Sequence, residues 1–170
     1  MTTQDTPLPD QASDSVRFET LEFDEFERGL LPVARHVLTS FETPELHLWG
    51  RAYSEAVEHW GETLGLAVAH RLQKVVRAVL DARDGSLSFY DPRDPASQDH
   101  ATQDEVTLLR MLRHMRRDEA VPARDAAIAL AHGKMDPYIL RAGLAFADRF
   151  SCGTPGQARN GKPPVLRVVG

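Results

Sequence analysis

Residues 44–83 read PELHLWGRAYSEAVEHWGETLGLAVAHRLQKVVRAVLDAR, and this stretch decides the fold. Thr43, Pro44 and Glu45 form a helix start, since threonine caps, proline suits the first helical position and glutamate complements the dipole. The next proline is Pro92. We therefore predict one long helix over about residues 44–83. Its apolar residues recur in steps of three or four, as one buried face requires: Leu46, Trp49, Tyr53, Val57, Trp60, Leu64, Val68, Leu72, Val75 and Val79.

The length of this helix raises a question of packing. An uninterrupted helix over these residues would be about 60 Å long, at about 1.5 Å per residue. Its mean apolar step of about 3.67 residues indicates a nearly straight stripe rather than a left-handed coiled coil. A compact domain of 170 residues does not need so long an element. Either the helix kinks around Gly61 and Gly65, or it projects and meets another chain.

Shorter helices are predicted on both sides of the long one. In the first of them Gly29 and Pro32 are expected to interrupt the helix. Thr102 and Glu105 have the spacing of a capping box, and Asp136-Pro137 is a cap followed by a first-turn proline. We find no internal repeat and no convincing strand pair. The sequence predicts an all-α fold: a bundle of about five helices, organised around the long central helix. The other four are predicted at about residues 24–41, 102–117, 121–133 and 136–150.

Composition divides the chain into a domain and two tails. Hydrophobic residues make up 42% of the 170 residues, which is enough for one core. Residues 1–15 are polar and acidic, and we expect them to be disordered. Residues 16–151 are predicted to form a single helical domain, and residues 152–170 an extended basic tail.

Composition also indicates where the protein is located and which partners it is expected to lack. There is no apolar run of eighteen residues, so we expect no membrane association, and the polar N-terminus does not resemble a secretory signal. Cys152 is the one cysteine, which excludes an intramolecular disulfide and favours a cytoplasmic location. The excess of arginine over lysine is typical of a GC-rich bacterial genome. The net charge of −5 argues against a general nucleic-acid binder.

Association through the long helix is our leading hypothesis. Gly61, Gly65 and Ala69 recur every four residues, a spacing that lets a second helix approach closely. This pattern favours a non-enzymatic accessory, adaptor or regulatory protein that binds a protein partner or forms a homo-oligomer, with a dimer favoured. The predicted interface consists of Trp49, Tyr53, Trp60, Gly61, Leu64, Gly65, Val68, Ala69 and Leu72.

A small DNA-binding transcriptional regulator is the alternative hypothesis. Arginines share one face of the helix that begins near Thr102, and a turn and a second helix follow, as in a helix-turn-helix. Asp118 and Glu119 interrupt the positive charge, however, and the second helix is rich in alanine. The candidate nucleic-acid contacts are Arg110, Arg113, Arg116 and Arg117.

A metal-dependent helical enzyme is the third hypothesis. Glu55, His59 and Glu62 share one face of a continuous helix, and carboxylate and imidazole groups bind transition metals. The sequence lacks the Glu-x-x-His pattern of di-iron bundles, a Gly-x-Ser-x-Gly nucleophile motif and a phosphate-binding glycine loop. We therefore name no catalytic residue and expect no cofactor.

Overall fold

The computed structural model describes residues 15–152, which form five α-helices and a short pair of strands. The fold-class prediction is confirmed: this is a helical bundle with one long helical segment. The strand pair was not predicted; β1 (Ser15–Arg17) and β2 (His100–Thr102) run antiparallel. The helices are α1 (Glu25–Glu42), α2 (Trp49–Ala82), α3 (Gln103–Arg116), α4 (Ala120–Leu130) and α5 (Pro137–Arg149).

Most of the two predicted tails lies outside the described residues. Of the tails, the structure describes Ser15, which belongs to β1, and Cys152. Between these two residues, no helix combines the length and the apolar character that crossing a membrane requires.

A capping box begins α1. The Asp24 carboxylate accepts a hydrogen bond from the Glu27 N–H at 2.7 Å, and the Glu27 carboxylate accepts one from the Asp24 N–H at 3.0 Å. The helix continues through Gly29 and Pro32, so the predicted interruption is wrong. Gly29 lies close to α2, because a Cβ there would lie 2.5 Å from the imidazole ring of His59, which would then have to move.

The start of α2 differs from the prediction. Pro44 begins a 3₁₀ turn, and His47 then adopts a left-handed conformation with φ of 50° before α2 begins. Thr43 provides no side-chain cap; its hydroxyl donates a hydrogen bond of 2.8 Å to the Thr39 carbonyl at the end of α1. The proline therefore marks the turn between α1 and α2.

The backbone of α2 folds back on itself at Gly61. Gly61 has φ of 79° and ψ of 167°, a conformation that is essentially restricted to glycine. The Tyr53 hydroxyl donates a hydrogen bond to Oε1 of Gln73 at 3.2 Å, although an uninterrupted helix would separate the two positions by about 30 Å. We call residues 49–60 the first arm of α2 and residues 62–82 the second arm, and the two arms pack against each other.

The two arms meet at a close backbone contact. A Cβ at Gly65 would lie 2.4 Å from the carbonyl oxygen of Ala56, so only glycine lets the arms approach this closely. Ala52 and Ala69 are also fully buried, and small side chains keep packed helices near one another. Of the two outcomes expected for the long helix, the structure has the kink, at Gly61, and not the 60 Å projection.

Caps begin α3 and α5 as the sequence predicts. The Thr102 hydroxyl accepts a hydrogen bond from the Glu105 N–H at 3.1 Å, and the Glu105 carboxylate accepts one from the Thr102 N–H at 2.8 Å. At the start of α5, the Asp136 carboxylate accepts a hydrogen bond from the Tyr138 N–H at 2.7 Å, and Pro137 occupies the first turn.

Buried guanidinium–carboxylate pairs hold α1 against α3. The Arg35 Nε and Nη2 atoms donate to the two oxygens of Glu105 at 2.6 and 3.1 Å. Near the start of α1, the Glu27 carboxylate accepts hydrogen bonds from Arg116, at 2.8 Å, and from Arg117. Because the start of α1 meets the end of α3, the two helices run antiparallel. Both glutamates also belong to capping boxes.

Replacing Gly65 with alanine tests the contact between the arms. The added Cβ meets backbone, which cannot move aside, so we expect Gly65→Ala to lower the free energy of unfolding by about 1–3 kcal/mol. Gly50 is the matched control: it lies in the first turn of α2, and a Cβ there meets nothing within 4 Å. Gly50→Ala should leave stability unchanged or raise it by up to about 1 kcal/mol. Equal effects of the two variants in urea unfolding would contradict the contact.

Candidate functional site

A groove of about 910 Å³ separates the second arm of α2 from α5, and we call it the α2–α5 groove. It is open to solvent on one side. Its volume is within the range of ligand-binding clefts. The residues that line it come from the end of α1, the second arm of α2, and α5 with its N-cap: Phe41, His70, Arg71, Gln73, Lys74, Arg77, Ala78, Asp81, Asp136, Tyr138, Arg141, Ala142 and Ala145.

The rotation of α5 about its axis is fixed by its buried side. Ile139 and Phe146 are fully buried, and a Cβ at Gly143 would lie 2.3 Å from the sulfur of Met115 in α3. An adjoining side of α5, which carries Tyr138, Arg141, Ala142 and Ala145, faces the groove. Tyr138 is 67% exposed there.

Some charged side chains of the groove make no hydrogen bond or ion pair within residues 15–152, and these uncommitted side chains are cationic. The carboxylate of Asp81 is paired with Arg77 at 2.9 Å, and that of Asp136 caps α5. Within residues 15–152 we find no hydrogen bond or ion pair made by the side chains of Arg71 and Lys74. The groove therefore presents cationic groups to solvent while its own acids are occupied.

Exposed apolar side chains continue along α5 and into the turn before it. Leu144 is 55% exposed and Met135 is 49% exposed, in addition to Tyr138. Large apolar groups that remain in solvent beside a groove are typical of a surface that binds another molecule. Sequence reasoning missed the groove, because helical periodicity does not reveal which part of α5 packs beside α2.

The interface predicted on α2 is mostly occupied by the protein itself. Four of its residues are buried: Gly65, Val68, Ala69 and Leu72. Its aromatic residues are half-buried against neighbours within the chain: Trp49 against Phe41, Trp60 against Phe26, and Tyr53 through its bond to Gln73. Two members are exposed, Gly61 and Leu64. The small-residue spacing thus serves the contact between the arms and leaves little free surface along this stripe.

Two of the four predicted nucleic-acid contacts belong to a buried cluster with acidic residues. Arg116 is 7% exposed, and its guanidinium lies 4.4 Å from the centre of the Phe26 ring and 3.1 Å from the Asp24 carboxylate. Arg117 pairs with Asp24 at 3.3 Å and with Glu27. These cations are neutralised within the chain and are not free to contact phosphate.

The other two arginines differ in environment. Arg113 is half-buried and donates a hydrogen bond to the Glu22 carbonyl, while Arg110 is exposed. Nucleic-acid binding needs a cationic surface, and α3 offers one exposed arginine where the sequence suggested four. The structure therefore does not favour the DNA-binding hypothesis, which remains a prediction.

The three candidate metal ligands, Glu55, His59 and Glu62, are not among the ligand-type side chains that the described structure brings together. Gly61 breaks the helix between His59 and Glu62, and the His59 ring packs 4.8 Å from that of Trp60. In the described range, one group of three ligand-type side chains comes together, and it does not include Glu55 or its neighbours. That group is Asp24, Glu27 and Cys152, whose carboxylates already face arginines.

The environment of Cys152 disfavours nucleophilic chemistry. Burial raises the pKa of the Cys152 thiol, and the nearby Asp24 and Glu27 add to this effect, which Arg116 and Arg117 oppose without reversing. A thiol of raised pKa carries little thiolate at neutral pH. The thiol instead donates a weak hydrogen bond to Asp24 at 3.6 Å.

Asp24 makes the contribution of this cluster to stability depend on pH. Burial raises the pKa of its carboxyl, but the hydrogen bond from the Glu27 backbone and the charge of Arg116 outweigh it and lower the pKa below 3.8. A carboxyl whose pKa is lowered by folding stabilises the protein above its unfolded pKa. This contribution is lost as the pH falls through the folded pKa.

We expect Asp24→Asn to reduce that pH dependence. Asparagine keeps the N-cap but removes the charge beside Arg116, so stability at pH 7 should fall by about 1 kcal/mol. The difference from the unmodified protein should shrink below about pH 4. Urea unfolding between pH 7 and pH 3 measures both quantities. Parallel stability curves over this range would show that the Asp24 charge contributes nothing.

Comparisons with known proteins yield no relative. No protein-family model matches the sequence, and neither a curated protein nor a solved structure matches the chain. The function is therefore argued from the geometry of the α2–α5 groove.

Proposed function

We propose that the protein is a non-enzymatic docking protein whose α2–α5 groove binds an acidic segment of a partner protein. The observation that carries this proposal is that Arg71 and Lys74, which make no ion pair within residues 15–152, line one groove together with the exposed ring of Tyr138. Self-association and partner binding were both expected from the sequence. In this proposal the binding surface lies beside α5 rather than along the apolar stripe of α2.

Charge supports an acidic occupant. Arg71 and Lys74 line the groove from successive turns of the second arm, and Arg141 lines it from α5. The carboxylates of the same groove are held by Arg77 and by the start of α5. An incoming carboxylate therefore meets cations that do not have to give up an existing ion pair. Such complementarity selects a partner and speeds its association.

Apolar contact would supply the rest of the binding energy. Tyrosine is enriched among the residues that dominate protein interfaces, and Tyr138 stands 67% exposed at the groove. The guanidinium of Arg141 lies 6.0 Å from the centre of its ring. Leu144, next to the groove on the solvent side of α5, is also 55% exposed. A partner segment that carries carboxylates next to an apolar residue matches this surface.

The polar groups of the groove do not suit catalysis. His70 is its one histidine, and it is exposed. General acid–base chemistry needs a group held within hydrogen-bonding distance of its proton partner. The two carboxylates of the groove are instead committed to structural contacts with Arg77 and with the N-terminus of α5. These features support binding rather than turnover.

Photocrosslinking tests the proposal directly. We would place benzoylphenylalanine at Tyr138 in the groove and, separately, at Val121 on α4, because both side chains are 67% exposed. After irradiation in the producing cell, the Tyr138 variant should form a protein adduct that the Val121 variant lacks. Mass spectrometry should locate the crosslink in an Asp- and Glu-rich segment of the partner.

Charge reversal identifies the contribution of the groove. Arg71→Glu with Lys74→Glu should reduce the Tyr138 adduct by about tenfold or more, since two favourable charge contacts become repulsive. Arg110→Glu with Arg124→Glu is the matched control, because both residues are exposed and lie outside the groove. The proposal is wrong if the adduct survives reversal in the groove, if it is lost equally in the control, or if the crosslinked molecule is a nucleic acid.

A further inference from the structure

Gly61 is a sharp break within an otherwise helical segment. It is the one residue of α2 with non-helical dihedrals, and its φ of 79° with ψ of 167° suits glycine alone. It is exposed, and a Cβ at this position would meet nothing within 4 Å. Backbone conformation, and not lack of space, is therefore what requires glycine here.

The sequence on both sides of the break is compatible with one continuous helix. No proline occurs between Pro44 and Pro92, and the apolar steps of three and four continue without a shift from Trp60 to Leu64. If Gly61 became helical, the 34 residues of α2 would form a rod of about 50 Å. The same segment thus has two regular conformations that differ at one residue.

The contacts that hold the bundle together connect the two sides of this break. Residues 15–60 carry β1, α1 and the first arm; residues 62–152 carry the second arm, β2 and the other helices. Several contacts join the two units. Strand β1 pairs with β2, and the arms are joined by the hydrogen bond from Tyr53 to Gln73. Two buried ion pairs add to these, Arg35 with Glu105 and Glu27 with Arg116.

We propose that Gly61 is the hinge of an exchanged dimer, whose partner is a second copy of this chain. In that dimer α2 is straight, and residues 15–60 of each copy pack on residues 62–152 of the other. Each contact between the units is re-formed with the other copy, so the exchange loses none of them. The connection between the two packed units is a single residue, and short hinges of this kind favour such exchange.

The exchange also links self-association to the groove. The second arm and α5 lie on the same side of Gly61 and stay together in both states. Phe41 lies on the other side, and its ring faces Arg77 at 5.6 Å. In the dimer the second copy therefore supplies this wall of the α2–α5 groove. The proposal does not depend on what the groove binds, because it is tested by oligomeric state alone.

Gly61→Ala in the full chain tests the hinge. Alanine is strained in the folded-back conformation and favoured in a helix, so dimerisation should strengthen by roughly ten- to hundredfold. Size-exclusion chromatography with light scattering measures the change. Gly85→Ala is the matched control: Gly85 also has positive φ, of 110°, and open space, but it lies beyond the end of α2. Gly85→Ala should dimerise no more strongly than the unmodified chain.

A crosslink between chains distinguishes exchange from side-by-side pairing. In a Gly61→Ala, Cys152→Ser background, one chain would carry Tyr53→Cys and a co-expressed chain Gln73→Cys. A short bismaleimide should join the two chains, since the arms that meet within the monomer belong to different copies in the dimer. The proposal is overturned if Gly61→Ala stays monomeric, or if it dimerises without this crosslink.

Discussion

The contact between Gly65 and the backbone of Ala56 is the constraint on which the rest of the structure depends. The second arm lies so close to the backbone of the first that only glycine fits at position 65. With the arms packed, the segment is shortened from about 50 Å to the length of its longer arm, about 30 Å. The bundle can then be compact, with α1 and α5 both packed on α2. The α2–α5 groove exists because α5 lies beside the second arm.

The register of α1 on α3 is set by buried charges. Glu27 and Glu105 each cap the start of their own helix and also accept hydrogen bonds from arginines of the other. Burying such pairs costs desolvation, so their net contribution to stability is small, but an unpaired partner would cost about 3–5 kcal/mol. Few alternative registers satisfy both pairs at once. The ion pairs therefore specify the arrangement of the helices more than they strengthen it.

Much of the fold follows from residues that are close in sequence, whereas contacts between residues far apart in sequence could not be predicted. The helices, the caps at Thr102 and Asp136, and the neighbourhood of the kink follow from residues close in sequence. The burial of Arg116 could not be predicted, because periodicity identifies residues that share a face without showing which face is inside, and its partner Glu27 is 89 residues away. The groove was missed for the same reason. The small-residue spacing in α2 predicts a close contact with a second helix, and in the structure Gly65 makes such a contact with Ala56 of the same chain.

The fold-back of α2 is tested most directly by one distance. Spin labels on Arg51→Cys and Arg77→Cys, in a Cys152→Ser background, report on the two arms through exposed positions. Double electron–electron resonance on the monomeric fraction should give a distance of about 20 Å, since the arms lie side by side at about 8–10 Å with a small offset along their axes. A distance of about 40 Å in that fraction, the value for a straight α2, would contradict the account.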